Sequence, residues 1–319
     1  MNKLWTIAKN TFTETLRQPV YSVIIVAAVF LFVVSPSISM YTMSDDNKLL
    51  RELGLSTLFL ASLFIAIFAA SGAVAEEIDN KTILTVLSKP VQRPTFIIAK
   101  FLGVAAAVAM AHYICTIGFL MAVRHGVIES INDTHDWTAI AAAGVAVLLT
   151  VGLSAFFNYS YDWKTTSTAM GLLAIFSTIG LIFLLFIDRD WKFNPAYNFN
   201  LVDVYGSLLL FLAALIIAAL AVAISSRFNI VVTLSACVGL FLLGLVSDWV
   251  FGRAAESHLW AKICYYIVPN LQIFWISDAI YEGSPIPAKY ILITAVYALC
   301  YSGGILALAV ALFQRRQVG

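Results

Sequence analysis

Charge is scarce in this chain: only 12% of its 319 residues are Asp, Glu, Lys or Arg, against 61% hydrophobic, and the mean hydropathy is +0.91. A soluble globular protein needs far more polar surface than that, so the composition excludes a soluble fold and reads as a membrane protein. The formal net charge is only +1, which argues against a nucleic-acid partner, because neutralising a phosphate backbone takes a concentrated basic face. Cysteine is also sparse. Cys115, Cys237, Cys264 and Cys300 form no CxxC pair and no other metal-ligand spacing, so neither a disulfide scaffold nor a metal site is expected. Enzyme signatures are missing: there is no HExxH, no GxSxG and no phosphate-cradling GxxxxGK[ST]. Tyr161-Asp162 has no second carboxylate at membrane depth with which to share a proton, and Ser302-Gly303-Gly304 lies within an apolar run, where small residues serve helix packing. No internal repeat and no low-complexity tract is found.

What is present is a succession of long uncharged runs, near residues 20–42, 54–75, 97–123, 138–158, 167–187, 204–224, 230–247 and 290–313. They predict an all-α polytopic bundle of about eight transmembrane helices. The sixth and seventh runs are divided only by Ser225 to Asn229, with Arg227 marking a tight interfacial turn. Eight crossings of about 20 residues each leave only short connections, so residues 1–319 form a single transmembrane domain without a soluble catalytic module. With the N-terminus inside, the inner segments hold eleven Lys and Arg against eight outside, which predicts that both termini are cytoplasmic. Residues 20–34 resemble the apolar core of a signal peptide. The run continues too far, however, and lacks a small-residue cleavage site, so an uncleaved first span is expected.

Three segments outside the spans are long enough to have structure of their own. In residues 1–19, Trp5, Ala8, Phe12 and Leu16 recur at helical spacing, with Lys9, Asn10, Thr13, Glu14 and Arg17 on the other faces before Pro19. This predicts an interfacial helix anchored by Trp5, which on a plainer reading is only a membrane-anchoring leader. In residues 76–94, Asp79 or Asn80 can N-cap a short helix carrying Ile83, Leu84 and Leu87, with acids at its positive end and Pro90 as its stop. Its apolar face has no cytoplasmic domain of this chain to bury against, so it lies on the membrane or docks into a groove of another protein. Residues 248–289 combine Trp260, Tyr265, Tyr266, Phe274 and Trp275 with three prolines, suggesting either helices lying over the outer mouth or an ordinary capping loop.

Asp and Glu are absent from the span interiors, which removes the usual relay of a proton-coupled transporter. His112, near the middle of the third run, is the one candidate for a titrating or cargo-binding residue in a translocation path. A histidine hydrogen-bonded to a neighbouring helix is the commoner role. Sodium coupling through backbone carbonyls stays open. A many-span bundle with no evident energy coupling and a cytoplasmic docking helix points to energy arriving from a separate subunit.

The order of interfacial helix, first span, outer loop and second span, followed by Glu76-Glu77-Ile-Asp, Thr82-Ile-Leu-Thr-Val-Leu-Ser-Lys-Pro-Val-Gln-Arg-Pro and Lys100-Phe-Leu-Gly103, resembles the type-2 ATP-binding-cassette (ABC) exporter permeases. Arg227-Phe-Asn-Ile-Val-Val-Thr, Pro269-Asn-Leu-Gln and the tail Leu312-Phe-Gln-Arg-Arg-Gln-Val-Gly319 look like bacterial members of that family. The resemblance implies a non-catalytic permease subunit in a bacterial cytoplasmic membrane. It would pair with a second permease, identical or different, and with two copies of a separate ATPase that binds ATP and Mg; no cofactor is expected on this chain. Residues 76–94 would include the coupling helix, with Asp79, Lys81, Thr82, Leu84, Leu87, Lys89 and Arg93 meeting the ATPase. Residues 1–19, with Trp5, Phe12 and Arg17, would be the elbow helix. Such permeases typically show six spans per subunit, where eight are read here. The uncharged spans fit a lipid-like or amphipathic peptide cargo better than a free ion. The alternatives are an ATP-independent secondary transporter or channel, and a structural or signalling membrane subunit that moves no cargo.

Overall fold

The computed structural model describes residues 3–38, 46–75, 92–128, 134–255, 257–282 and 284–314. Among them, eight helices are long and apolar enough to cross a membrane, as the hydropathy pattern predicts. In chain order the helices are α1 (Lys3–Arg17), α2 (Pro19–Ile38), α3 (Asp46–Ala70), α4 (Arg93–His125), α5 (Trp137–Tyr161), α6 (Thr165–Phe186), α7 (Leu201–Ser225), α8 (Ile230–Ser247), α9 (Leu259–Ile267), α10 (Ser277–Tyr281) and α11 (Ala288–Gln314). Both α3 and α8 continue in a π-helical turn, over Ser71–Ala75 and Asp248–Gly252. The spanning helices are α2 to α8 and α11.

Three of them make the centre. In α3, α4 and α7, 61 to 72% of the most apolar stretch is buried within the protein, whereas the other five spans bury 28% or less. The sequence explains the division. The middle of α7 is rich in alanine, and Ala213, Ala214, Ala218, Ala219 and Ala221 are all buried, as are Ala107 and Ala111 of α4. Without large side chains, backbones approach closely, which is how helices associate where lipid offers no hydrophobic drive. The outer helices carry Val23 and Val33 (α2), Leu148 and Val151 (α5), and Leu292 and Leu299 (α11) outward. Such a continuous apolar exterior would be intolerable in water and is at home among acyl chains.

The helices overrun the hydropathy limits where charges find partners. The second span begins at Asp46 rather than near residue 54, because Arg51 pairs with Asp203 of α7 (3.0 Å) and Lys48 with Asp278 of α10 (3.2 Å). The divide at Ser225–Asn229 is a tight turn, with the Asn229 side chain accepting from the Val232 amide to cap α8.

Helix α1 lies against α4 rather than apart from the bundle. Ala8, Thr11, Thr15 and Leu16 are buried, and Gly103 is the point of closest approach: a Cβ there would stand 2.6 Å from both the Ala8 carbonyl oxygen and the Thr11 Cβ. Pro19 stands where α2 begins, a position at which its missing N–H costs nothing.

Candidate functional site

Chemistry-bearing residues gather in three places: the end of the bundle that holds α1, its middle, and the opposite end. At the α1 end, α4 starts at Arg93, so this residue opens a spanning helix rather than closing a short one. Its guanidinium donates to the Gln314 carbonyl at 2.5 Å. Arg227, from the α7–α8 turn, donates to the Leu312 carbonyl. Two arginines from different elements therefore satisfy the terminal carbonyls of α11, the negative end of that helix dipole. Beneath them Phe96 and Phe313, both fully buried, stack at 5.8 Å. Lys100, nearly two turns into α4, is buried with its ammonium 5.6 Å from the Phe96 ring centre. Asp79, Lys81, Thr82, Leu84, Leu87 and Lys89 lie outside the described residues. They belong to the stretch that joins α3 to the Arg93 end of α4. On α1, Trp5 is exposed, Phe12 is half-buried against the core and Arg17 is exposed in the last turn.

In the middle of the bundle, His112 of α4 is buried between α3 and α7. Its Nε2 lies 2.9 Å from the Ser207 carbonyl oxygen, which can only accept, so Nε2 carries the proton and donates. Nδ1 is then the acceptor for the Ser62 hydroxyl of α3 at 2.8 Å. Thr116 and Ser207 complete the group with a 2.6 Å contact between hydroxyl oxygens, and the Phe211 ring packs beside the imidazole. Both ring nitrogens are thus engaged and the side chain ties three helices together. The ring is buried among these partners.

At the opposite end, Arg124 closes α4 and is buried with Asp136, which precedes α5. Arg124 donates to the Leu184 carbonyl, to Ile187 O at 2.6 Å and to Thr138 Oγ1 at 3.1 Å. Asp136 accepts from the amides of Thr138 and Ala139 (both 3.1 Å), capping α5. Burial pushes the Asp136 carboxyl up, but the bonds from Thr138 and Ala139 and the Arg124 guanidinium outweigh it and hold the group below the usual carboxylate value. This cluster was not singled out by residue patterns. Its trace in sequence is the Asp-x-Thr start of α5 and a lone arginine directly after the apolar run.

On the same end, an open cavity of about 460 Å³ is lined by Asp248, Trp249, Gly252, Arg253, Tyr265 and Gln272. Tyr265 donates to Asp248 at 3.1 Å, which holds its phenol above the ordinary value, and Arg253 lies over the Trp249 ring. Among the described residues no group of three or more His, Cys, Asp or Glu side chains could hold a metal ion.

An all-helical bundle of eight candidate spans, with charge confined to its ends, defines an integral membrane protein. The family described as ABC-2 family transporter protein matches residues 5–187, more than half of the chain, and the chain belongs to that family. It is therefore a membrane transport subunit of the ABC-2 permease type, a family whose members work with an ATPase subunit and often dimerise. Comparison with curated proteins finds no match.

Proposed function

We propose that this chain is the permease subunit of an ABC exporter that moves a lipid-like, peptide or other amphipathic cargo out of a bacterial cytoplasmic membrane. Two copies of a separate ATPase, carrying ATP and Mg, dock on residues 76–94, and a second permease, identical or related, completes the pathway. The chain itself supplies geometry rather than catalysis. In this reading both termini are cytoplasmic and α1 is the elbow helix. ATP-driven closure of the ATPase moves the 76–94 segments, and the two permeases rearrange so that cargo leaves outward.

The observation that carries this reading is the 76–94 sequence within a chain of this family. Its residue order offers Asp79 or Asn80 as an N-cap and sets Ile83, Leu84 and Leu87 at helical spacing, between two spans of a chain of this family. Asp79, Lys81, Lys89 and Arg93 would set register on the ATPase, while Thr82, Leu84 and Leu87 supply contact area. The test is ATP turnover by the complex copurified with the tagged chain in lipid, compared with the double substitution Leu84→Asp and Leu87→Asp. The expected result is loss of the ATPase from the complex with membrane insertion intact. Full copurification by the double variant would overturn the docking site.

A further inference from the structure

Two of the four histidines, His125 and His135, stand on the end of the bundle opposite the start of α4 and belong to no part of the proposed coupling machinery. His125 is the last residue of α4, and His135 lies two residues before α5. We infer that the two rings form a two-nitrogen site for a divalent transition cation of the zinc class, with water completing its coordination.

The first argument is a distance. His135 Nδ1 lies 3.4 Å from His125 Nε2. Without an ion, the contact is a hydrogen bond at the long end of the range, made when a single proton lies between the rings. Two nitrogens bound at about 2.0 to 2.1 Å to one tetrahedral ion stand roughly 3.3 to 3.4 Å apart. The observed spacing matches the edge of that tetrahedron.

The second argument is the proton. His125 Nδ1 is 2.8 Å from the Gly126 carbonyl oxygen, which only accepts, so Nδ1 carries the hydrogen and Nε2 keeps its lone pair on the side facing His135. Donation from the far ring nitrogen to a carbonyl is how metal-binding histidines are held in orientation. Gly126 has φ +69°, a left-handed conformation that glycine adopts without strain.

The third argument is rigidity. Each histidine is the chain neighbour of one partner in the buried Arg124–Asp136 pair. Arg189 donates to the His125 carbonyl at 2.6 Å and Asn198 to the Arg124 carbonyl at 3.1 Å, while Trp137 meets the His135 ring edge-on. The backbone under both rings is thus fixed before a ligand arrives, which lowers the ordering cost of binding.

Among the described residues, Arg124, Arg189 and Asp136 meet beneath the two rings, and Asp136 is already engaged by Arg124, Thr138 and Ala139. Hard ions such as Mg²⁺ need oxygen donors, which an imidazole pair does not offer, whereas Zn²⁺, Ni²⁺ or Cu²⁺ bond to neutral imidazole.

The test is equilibrium dialysis of the full chain, purified in detergent without a histidine tag and stripped with a chelator, against Zn²⁺ and separately Mg²⁺. About one Zn²⁺ per chain is expected, with affinity falling about tenfold or more in His125→Gln and in His135→Gln, no further loss in the double variant, and no Mg²⁺ uptake. His258→Gln, whose ring stacks on Trp260 and not on either histidine of the pair, should bind as the parent does. Should a variant not fold, the parent alone decides: bound Cu²⁺ should show electron-spin coupling to two nitrogens. Zn²⁺ binding unchanged in both single variants, no binding by the parent, or coupling to fewer than two nitrogens would each overturn the site.

Discussion

The Arg124 guanidinium and the Asp136 carboxylate meet at 3.3 Å, both buried, at the point where α4 hands over to α5. The pair does more than neutralise charge. Arg124 reaches carbonyls at the end of α6, and Asp136 caps α5, so one contact gathers three spans that otherwise present mostly apolar surface to lipid. A buried ion pair is justified when its remaining donors and acceptors are satisfied, as they are here.

Replacing Asp136 should therefore be costly. Asp136→Ala removes a cap worth about 1 kcal/mol and strips a buried guanidinium of its counter-charge, for a combined loss of about 3 kcal/mol. Asp136→Asn keeps part of the cap and loses less. The folded-state pKa is depressed, so the carboxylate's contribution is complete above the ordinary Asp value and disappears as pH falls through the lower folded value. Thermal unfolding in detergent should show a constant gap between the parent and Asp136→Asn from about pH 5 to 8, narrowing below about pH 4. A gap that stays the same width into strong acid would remove the charge from the explanation.

Gly103 tests how α1 is held. A methyl group there would collide with the Ala8 carbonyl and with Thr11, and neither the backbone oxygen nor a buried Cβ can swing away. Gly103→Ala should cost about 1 to 3 kcal/mol by overpacking and loosen α1, measured as faster proteolysis within residues 3–17. Gly144→Ala of α5 is the control: nothing lies within 4 Å of its added carbon, so stability should hold or rise slightly, since alanine favours the helix. Equal behaviour of the two variants would mean that α1 is not seated at Gly103.

His112 is where a candidate path residue and a structural tie can be told apart. If the imidazole serves to join α3, α4 and α7, then His112→Ala leaves Ser62 and the Ser207 carbonyl short of a partner and lowers stability by about 1 to 3 kcal/mol. Ser62→Ala should then cost less in the His112→Ala background than in the parent, by a coupling of about 0.6 kcal/mol or above. Cargo-stimulated ATP turnover per folded complex should be unchanged. Loss of stimulation without loss of stability would return His112 to the translocation path.

The contrast between the spans and the buried polar groups shows what the sequence discloses. Eight apolar runs are long and nearly charge-free, and length against hydrocarbon thickness is a one-dimensional criterion, so their number is legible from residue order alone. The family is legible for the same reason, carried by residues such as Glu76 to Pro94 that stand contiguous in the chain. Arg124 and Asp136, Arg51 and Asp203, and Arg227 with Leu312 are different, because each pair is made by tertiary contact between elements. The burial of Thr11 and Thr15 is hidden likewise: the stripe Trp5, Ala8, Phe12 and Leu16 marks an apolar face, but the small residues beside it are what α4 accepts at Gly103.

Arg93 carries two readings that can be separated, because Arg227 shares one of them. Both arginines satisfy carbonyls at the end of α11, through Gln314 and Leu312, and each such cap is worth about 0.3 to 1 kcal/mol. Only Arg93 lies in the segment proposed to meet the ATPase. Arg227→Ala should therefore lower the melting temperature slightly and leave ATPase copurification intact. Arg93→Ala should do the same to the melting temperature and, in addition, reduce the ATPase recovered with the complex. Lysine at either position restores charge but not the planar fork that reaches a terminal carbonyl, so Arg93→Lys should recover ATPase binding more fully than stability. If Arg93→Ala and Arg227→Ala proved indistinguishable in copurification, Arg93 would be a helix cap alone, and the docking surface would end before it.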